Sequence, residues 1–519
     1  MQPRTPRHPA SRRTRTLAAV AMLPLAACWL GAAHAQEVAA GSTARSSTIT
    51  PSVSVRQTFT DNARLRSTDT ESDAVTEATA AVRAVSNGGR LKGFVDYALT
   101  GSLRARHSSD NDVTQALNAF ANAELVDQWM YVDLRGVIAQ QAISAFGRQS
   151  SSTSVVNDNR TETRSLSVSP YWRGRLAGAA DYEVRLDHLV TDTSSDAATD
   201  ASTTTAMARL SGGNPLALGW SADYTHRSAD YDRGRRTKDE RLRGVLSYAF
   251  TPQFDAGVIV GRESNNFESV ESRSHGTGGV QLRWQPSERT ALSASYETRF
   301  FGHSHALSFM HRTGRTIWTF SDRRDISTNP SQAGQASLGN AYDLFFQQFA
   351  SIEPDPIARD QLVQDFLLTN GIAPDAVLVG GFLSSAATVQ RLQSLSVALR
   401  GVRTTVTFYL TQSHSSRLDS FVTVIDDLSN SSMVRQRGFH VNVSHRLTPL
   451  SSANLVLSTQ RTNGDLNTQE STLNSISAIW STRTGPRSDL SAGARWVDSD
   501  SITHPYVERA IFANLRLQF

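Results

Sequence analysis

Along most of the chain, polar and apolar residues alternate with a period of two. Leu91, Gly93, Val95, Tyr97, Leu99, Gly101 and Leu103 fall on one side of a strand, and Lys92, Phe94, Asp96, Ala98, Thr100 and Ser102 on the other. The same alternation places Leu242, Gly244, Leu246, Tyr248 and Phe250 opposite Arg241, Arg243 and Ser247. It places Leu292, Ala294, Tyr296, Thr298 and Phe300 opposite Ser293, Ser295, Glu297 and Arg299. Further on, Met130, Val132, Leu134, Gly136 and Ile138 face away from Asp133 and Arg135, and Phe439, Val441, Val443 and Leu447 away from His440, Asn442, Ser444 and Arg446. In a soluble sandwich the greasy face packs inward; in a membrane barrel it meets lipid, and the polar face lines the lumen.

The connections separate these two cases. Tight turns rich in Gly, Pro and Asn fall near 87–89, 127, 174, 212–214, 251–252, 285–286, 313–314, 401, 448–449 and 485–486. Longer stretches of Ser, Thr, Asp and Asn lie between them, at 144–160, 191–203, 228–238, 262–275 and 414–433. Short and long connections alternate, as do the periplasmic turns and external loops of outer-membrane barrels. Ten tight turns join ten hairpins, and one strand at each end brings the expected total to about 22, an even number as closure requires. The predicted fold is all-β: a large antiparallel up-and-down transmembrane barrel.

One segment departs from the period of two. Within 338–393, apolar residues recur at 344, 345 and 349 and again at 362, 363, 366 and 367, a helical spacing. A helical insertion is therefore predicted between strands over 329–393, leaving from the external end. It has three places to go: back into the lumen, across the mouth, or against a partner.

Composition alters this picture only at the N-terminus. The formal charge is +4, but residues 1–35 hold Arg4, Arg7, Arg12, Arg13 and Arg15 and no acid; of 52 basic residues 47 remain beyond them, against 48 acidic, so the remainder carries −1. No basic field for nucleic acid is left. Residues 1–35 read as a secretory signal peptide, with an apolar run from Leu17 to Ala33 and cleavage at Ala33-His34-Ala35 before Gln36. The barrel then occupies 36–519. A lipobox at Leu25-Ala26-Ala27-Cys28 is the rival, with Cys28 lipidated; on the first reading the mature chain has no cysteine, which suits an oxidising periplasm. At the other end, Ile511, Ala513, Leu515, Leu517 and Phe519 alternate with Asn514, Arg516 and Gln518. This resembles the C-terminal strand by which bacterial outer-membrane proteins are handed to the barrel-assembly machinery, with Ile511, Leu515, Leu517 and Phe519 as its recognition positions. The expected location is the outer membrane of a Gram-negative bacterium, in contact with its lipid.

Site chemistry is sparse. No Gly-x-Ser-x-Gly, HExxH or phosphate-binding Gly-Lys motif is present. His303 and His305 share a strand face near His311, a spacing open to a metal but also to plain solvation. No catalytic residue, cofactor site or metal site is predicted, and the chain is expected not to be an enzyme. The alternation points Lys92, Asp96, Asp133, Arg135, Arg241, Arg243, Glu297, Arg299 and Arg516 into the lumen, where mixed charge lines a conduit or pairs across it.

Four stretches add a family context. Ile49-Thr50-Pro51-Ser52-Val53-Ser54-Val55-Arg56-Gln57-Thr58-Phe59-Thr60-Asp61-Asn62, followed by Glu71-Ser72-Asp73-Ala74-Val75-Thr76-Glu77, resembles the opening of the PEP-CTERM system-associated outer-membrane protein family. Asn87-Gly88-Gly89-Arg90-Leu91, His311-Arg312-Thr313-Gly314-Arg315-Thr316-Ile317-Trp318 and Pro354-Asp355-Pro356-Ile357-Ala358-Arg359 are similar to it in the same order. The resemblance implies a barrel from exosortase and exopolysaccharide loci. The expected function is a porin-like conduit in exopolysaccharide export or surface assembly, with the polysaccharide and its export proteins as partners and no nucleic acid. A general diffusion porin and an outer-membrane lipid hydrolase stand as alternatives.

Overall fold

The computed structural model describes residues 47–519 apart from 196–198, 214–216, 331–341, 343–344, 347–348, 350–352, 354, 370–380, 420–424 and 467–468. The signal region, with Ala33, Ala35 and Gln36 and the rival site Cys28, lies outside the described residues.

Twenty-two strands, β1 to β22, each pair antiparallel with the next, and the last pairs with the first. β1 (Ser47–Thr60) and β22 (Tyr506–Gln518) close the barrel in a register that sets Leu517 beside Val53, Leu515 beside Val55 and Ile511 beside Phe59. The amide of Phe519 extends this seam, donating to the Pro51 carbonyl at 3.0 Å. Closure leaves no unpaired strand edge, which is what allows a sheet to cross lipid.

The period of two now has a physical meaning. Outward residues are apolar and exposed: Val55 is 48% exposed, Leu246 48%, Val260 66% and Leu515 45%. The lumen side holds serine, threonine and charge, much of it buried, including Thr58, Glu263 and Ser415. Trp129, Trp220, Phe250, Trp284, Trp318, Trp480 and Phe519 all face outward at the end that carries the tight turns, an aromatic girdle of the kind that sits at a membrane surface. An apolar outer belt, a polar interior and full closure make the chain an outer-membrane barrel, with the turn end periplasmic and the loop end external.

The strands run further into the polar stretches than the pattern suggests. The loop expected at 144–160 spans 143–159, but those expected at 191–203 and 228–238 shrink to 194–200 and 232–236. Strands continue past the membrane as a hydrogen-bonded wall, and there polar side chains face water on both sides, so alternation fades while pairing persists. The predicted insertion is also shorter than 329–393. β15 (Thr316–Ser327) ends at 327 and β16 (Thr388–Arg400) begins at 388, because Thr388 and Arg391 pair with Ser327 and Arg324.

Candidate functional site

The insertion between β15 and β16 leaves the external end and descends inside the barrel. Its helix α1 (Pro356–Thr369) starts at Pro356, where a missing amide costs nothing. Asp360 on α1 is fully buried, 0% exposed, and ion-pairs with Arg83. Arg83 lies on β2 (Asp73–Asn87) and also holds Asp96, its cross-strand neighbour on β3 (Leu91–Arg104), at 2.8 and 2.9 Å. Gln364, one turn along α1, donates to Asp96 at 3.3 Å. Arg83 is four residues from the periplasmic end of its strand. α1 therefore rests deep in the lumen, about 10 Å above the periplasmic rim.

The other face of the insertion is aromatic. Tyr342, Phe345, Val363 and Leu367 form a buried cluster with Phe346, Phe349 and Phe366 against it, and Tyr409 joins from β17 (Thr404–Arg417). The Phe345 and Phe366 rings are 4.6 Å apart, and the Phe349 ring meets Phe366 edge-on at 5.5 Å. β17 lies seven strands round the wall from β2. The insertion therefore bridges the lumen, held by charge at β2 and β3 and by rings at β17. The Tyr342 hydroxyl donates to Asp360 at 2.6 Å and closes the polar end of the bridge. Burial raises the Asp360 carboxyl above its ordinary range, with Arg83 opposing, and burial beside Asp360 raises the Tyr342 phenol.

Above this bridge the external loops interlock. Ala145, Phe382, Leu428 and Val434 form a small core joining loop 143–159, the returning insertion and the short helix α2 (Asp427–Asn430). Asp426 caps α2 and also accepts from the amide and hydroxyl of Ser385 at 2.9 and 2.6 Å. Asp427 accepts from the Ser144 hydroxyl at 2.7 Å and the Ala145 amide at 2.5 Å, and burial pushes its carboxyl up to about 6. The same loop 143–159 joins a second cluster, in which Leu65 and Val155 pack with Val497 and Tyr506.

The wall from β9 (Leu218–Tyr231) to β15 is different. Arg243 reaches Glu297 at 2.6 Å and Asp223 at 3.4 Å, and Arg241 joins the same Glu297. Arg299 bridges Glu263 at 2.8 Å and Asp325 at 2.7 Å. Nearer the periplasm a cavity of about 520 Å³ is lined by Arg209, Asp255, Gln281, Arg283, Ser295 and Arg323, among others. Of the other residues placed in the lumen by alternation, Asp133 is held by Arg185 at 2.8 Å and Arg516 reaches Ser52 at 3.3 Å, while Lys92 and Arg135 have no carboxylate partner among the described residues. His305 and His303 point outward, His305 bonded to Asp322 at 3.0 Å and His303 stacked on Tyr296 at 5.2 Å. Sequence reasoning missed Arg83, Asp360 and Tyr409. The one available sign was Asp360 itself, an acid within a helix that also carries Ile357, Leu362, Val363, Phe366 and Leu367.

No protein-family model matches the chain, and no curated protein does. Solved structures similar to it include the FrpB iron transporter of Neisseria meningitidis (10% identity, TM-score 0.46, covering 91% of this chain and 81% of that one). They also include the ferric preacinetobactin receptor BauA of Acinetobacter baumannii (11%, 0.46, 90% and 80%) and the siderophore receptor PirA of Pseudomonas aeruginosa (9%, 0.42, 91% and 80%). These are transport proteins and receptors for iron compounds, not exopolysaccharide exporters or diffusion porins. The expected conduit for exopolysaccharide, and the general porin beside it, both need an open lumen; they are corrected on the structure, in which α1 lies across it.

Proposed function

We propose that this barrel is a gated uptake receptor: the external loops receive a ligand, and the ligand passes only when the insertion lets go of the wall. The observation that carries the reading is the buried Arg83–Asp360 pair, set deep in the lumen on a segment whose two chain connections, to β15 and β16, both lie at the far, external end. Removing a charge from water costs several kcal/mol unless a partner meets it, so Asp360 is stable either on Arg83 or back in water, with little between. Such a contact makes a two-position latch. The charged wall from β9 to β15, with its cavity, offers the path beside the latch. Ferric chelates, handled by the similar structures, are the first ligands to try. Kinship with the PEP-CTERM-associated family, carried by the four short stretches above, is likewise our proposal, and the genes beside this one test it.

The deciding experiment is conductance in planar bilayers together with chelate uptake in cells. Wild-type barrel is expected to carry little steady current, and a variant lacking 338–380 a large one. Equal current from both, with no uptake of any ferric chelate, sinks the reading.

A further inference from the structure

The outer surface carries a feature that neither the latch nor the lumen uses. From β15 to β19 (Ser451–Asn463), the lipid-facing side is apolar up to one row, formed by Phe320, Leu395, Leu410 and Phe439 with Thr459 at its β19 end. The next outward positions, one pair nearer the external end, are Asp322, Gln393, Gln412, Arg437 and Arg461. The row above that is Arg324, Arg391, His414, Arg435 and Asn463. Register alone places Arg324, Arg391, Arg435, Arg437 and Arg461 in a patch two rows high, the rows about 7 Å apart and the strands about 4.8 Å apart.

Acids meet part of this charge. Asp322 holds Arg391 at 2.6 Å, and Glu470 on β20 (Glu470–Gly485) pairs with Arg461. Arg435 and Arg437, side by side at the centre of the patch, have no carboxylate partner among the described residues; Arg435 touches only the Met433 sulfur, at 3.8 Å. The outer wall at β10 (Thr237–Thr251) and β11 (Phe254–Asn265) is unlike this. There Lys238, Glu240 and Arg262 sit at the corresponding height with charges of both signs.

Arginines on the lipid side of a barrel, one step above the last apolar row, sit where the head groups of the outer leaflet lie. Their planar forks match phosphate oxygens in pairs, and at a surface of lowered dielectric such contacts gain over those in water. We infer that the outward arginines of β15–β19 form a binding site for the phosphorylated glycolipid of the outer leaflet, its acyl chains lying on Phe320, Leu395, Leu410 and Phe439 and its phosphates on Arg435, Arg437 and their neighbours. The occupant is argued from charge and height together: the patch is cationic and borders the acyl layer.

The test is native mass spectrometry of the full barrel extracted from outer membranes in mild detergent, read for retained phosphorylated glycolipid. R435Q/R437Q is expected to lose retained lipid about tenfold, the equivalent of two charge-assisted bonds at about 0.7 kcal/mol each. R262Q/K238Q on β10 and β11 is expected to keep it. Add-back to delipidated wild-type barrel separates the possible sources: intact glycolipid rebinds, the same lipid stripped of phosphate does not, and inorganic phosphate does not displace it. A folded R435Q/R437Q barrel, as judged by heat-modifiable gel mobility, that retains lipid like wild type overturns the site. So does tight binding of the dephosphorylated lipid, and displacement by inorganic phosphate overturns the assignment to a lipid. If R435Q/R437Q fails to assemble, the add-back arms on the wild-type barrel decide alone.

Discussion

The two walls of the lumen carry the same chemistry to different effect. On the β2–β3 side, Arg83 pairs with Asp96 and Asp360 under cover of the insertion, and Asp360 is 0% exposed. On the β9–β15 side the charges divide: Arg299 and Glu263 are buried, 4% and 0% exposed, whereas Arg283 pairs with Asp255 at 2.7 Å with its side chain 72% exposed. An exposed pair contributes little, because water and salt screen it; a buried pair costs much to break, because the survivor is left uncompensated. Inward charge in a barrel is thus a structural latch only where something covers it, and a solvated lining elsewhere.

Four changes would break or sharpen this contrast. Asp360→Ala leaves Arg83 with Asp96 alone and removes the carboxylate that accepts from the Tyr342 hydroxyl, and is expected to weaken insertion docking by on the order of 3 kcal/mol. Faster protease cleavage within 356–369, with the barrel itself still heat-modifiable, is the readout, and an unchanged cleavage rate refutes the latch. Phe345→Ala removes a ring that is 1% exposed at the centre of the aromatic face. The expected loss is about 3 kcal/mol of the same docking, measured the same way, and a barrel indifferent to it would show that the rings at β17 hold nothing.

A third prediction concerns the external mouth. The Asp427 carboxyl sits at about 6 in the fold against 3.8 free. Because the folded value is raised, the folded chain binds the proton more tightly, so this contribution is complete below about 4 and lost as pH rises through about 6. Protection of the Ala145 amide against hydrogen exchange is expected to be greater at pH 5 than at pH 7, and to flatten in Asp427→Asn. The opposite slope would remove Asp427 as its cause. Smallest is Arg283→Gln on the open wall, expected to change barrel stability by less than about 1 kcal/mol. A large loss there would erase the distinction between the walls.

Much of the molecule is legible in the residues themselves. The alternation at 91–103 and 241–250, the tight turns and the terminal run to Phe519 specify strands, their number and which face meets lipid. A strand shows its two environments in every pair of neighbours, so the information is local. The pairing of Ile511, Leu515 and Leu517 with β1 follows from closure of the same pattern. The helical spacing at 362–367 announces a helix for the same local reason.

Where that helix goes is settled only in three dimensions. Arg83 and Asp360 are separated by 277 positions, and nothing in the spacing of either points to the other. Their meeting depends on the register that sets Arg83 beside Asp96, on the depth to which the insertion descends, and on Tyr409 across the lumen offering a ring to its other face. The outer arginine patch is of the same kind: Arg324, Arg391, Arg435, Arg437 and Arg461 look scattered in the chain and become neighbours through strand pairing. Periodicity reports what each residue faces. Which distant residues share that environment is decided by register and closure, because those long-range contacts alone bring buried charges to their partners.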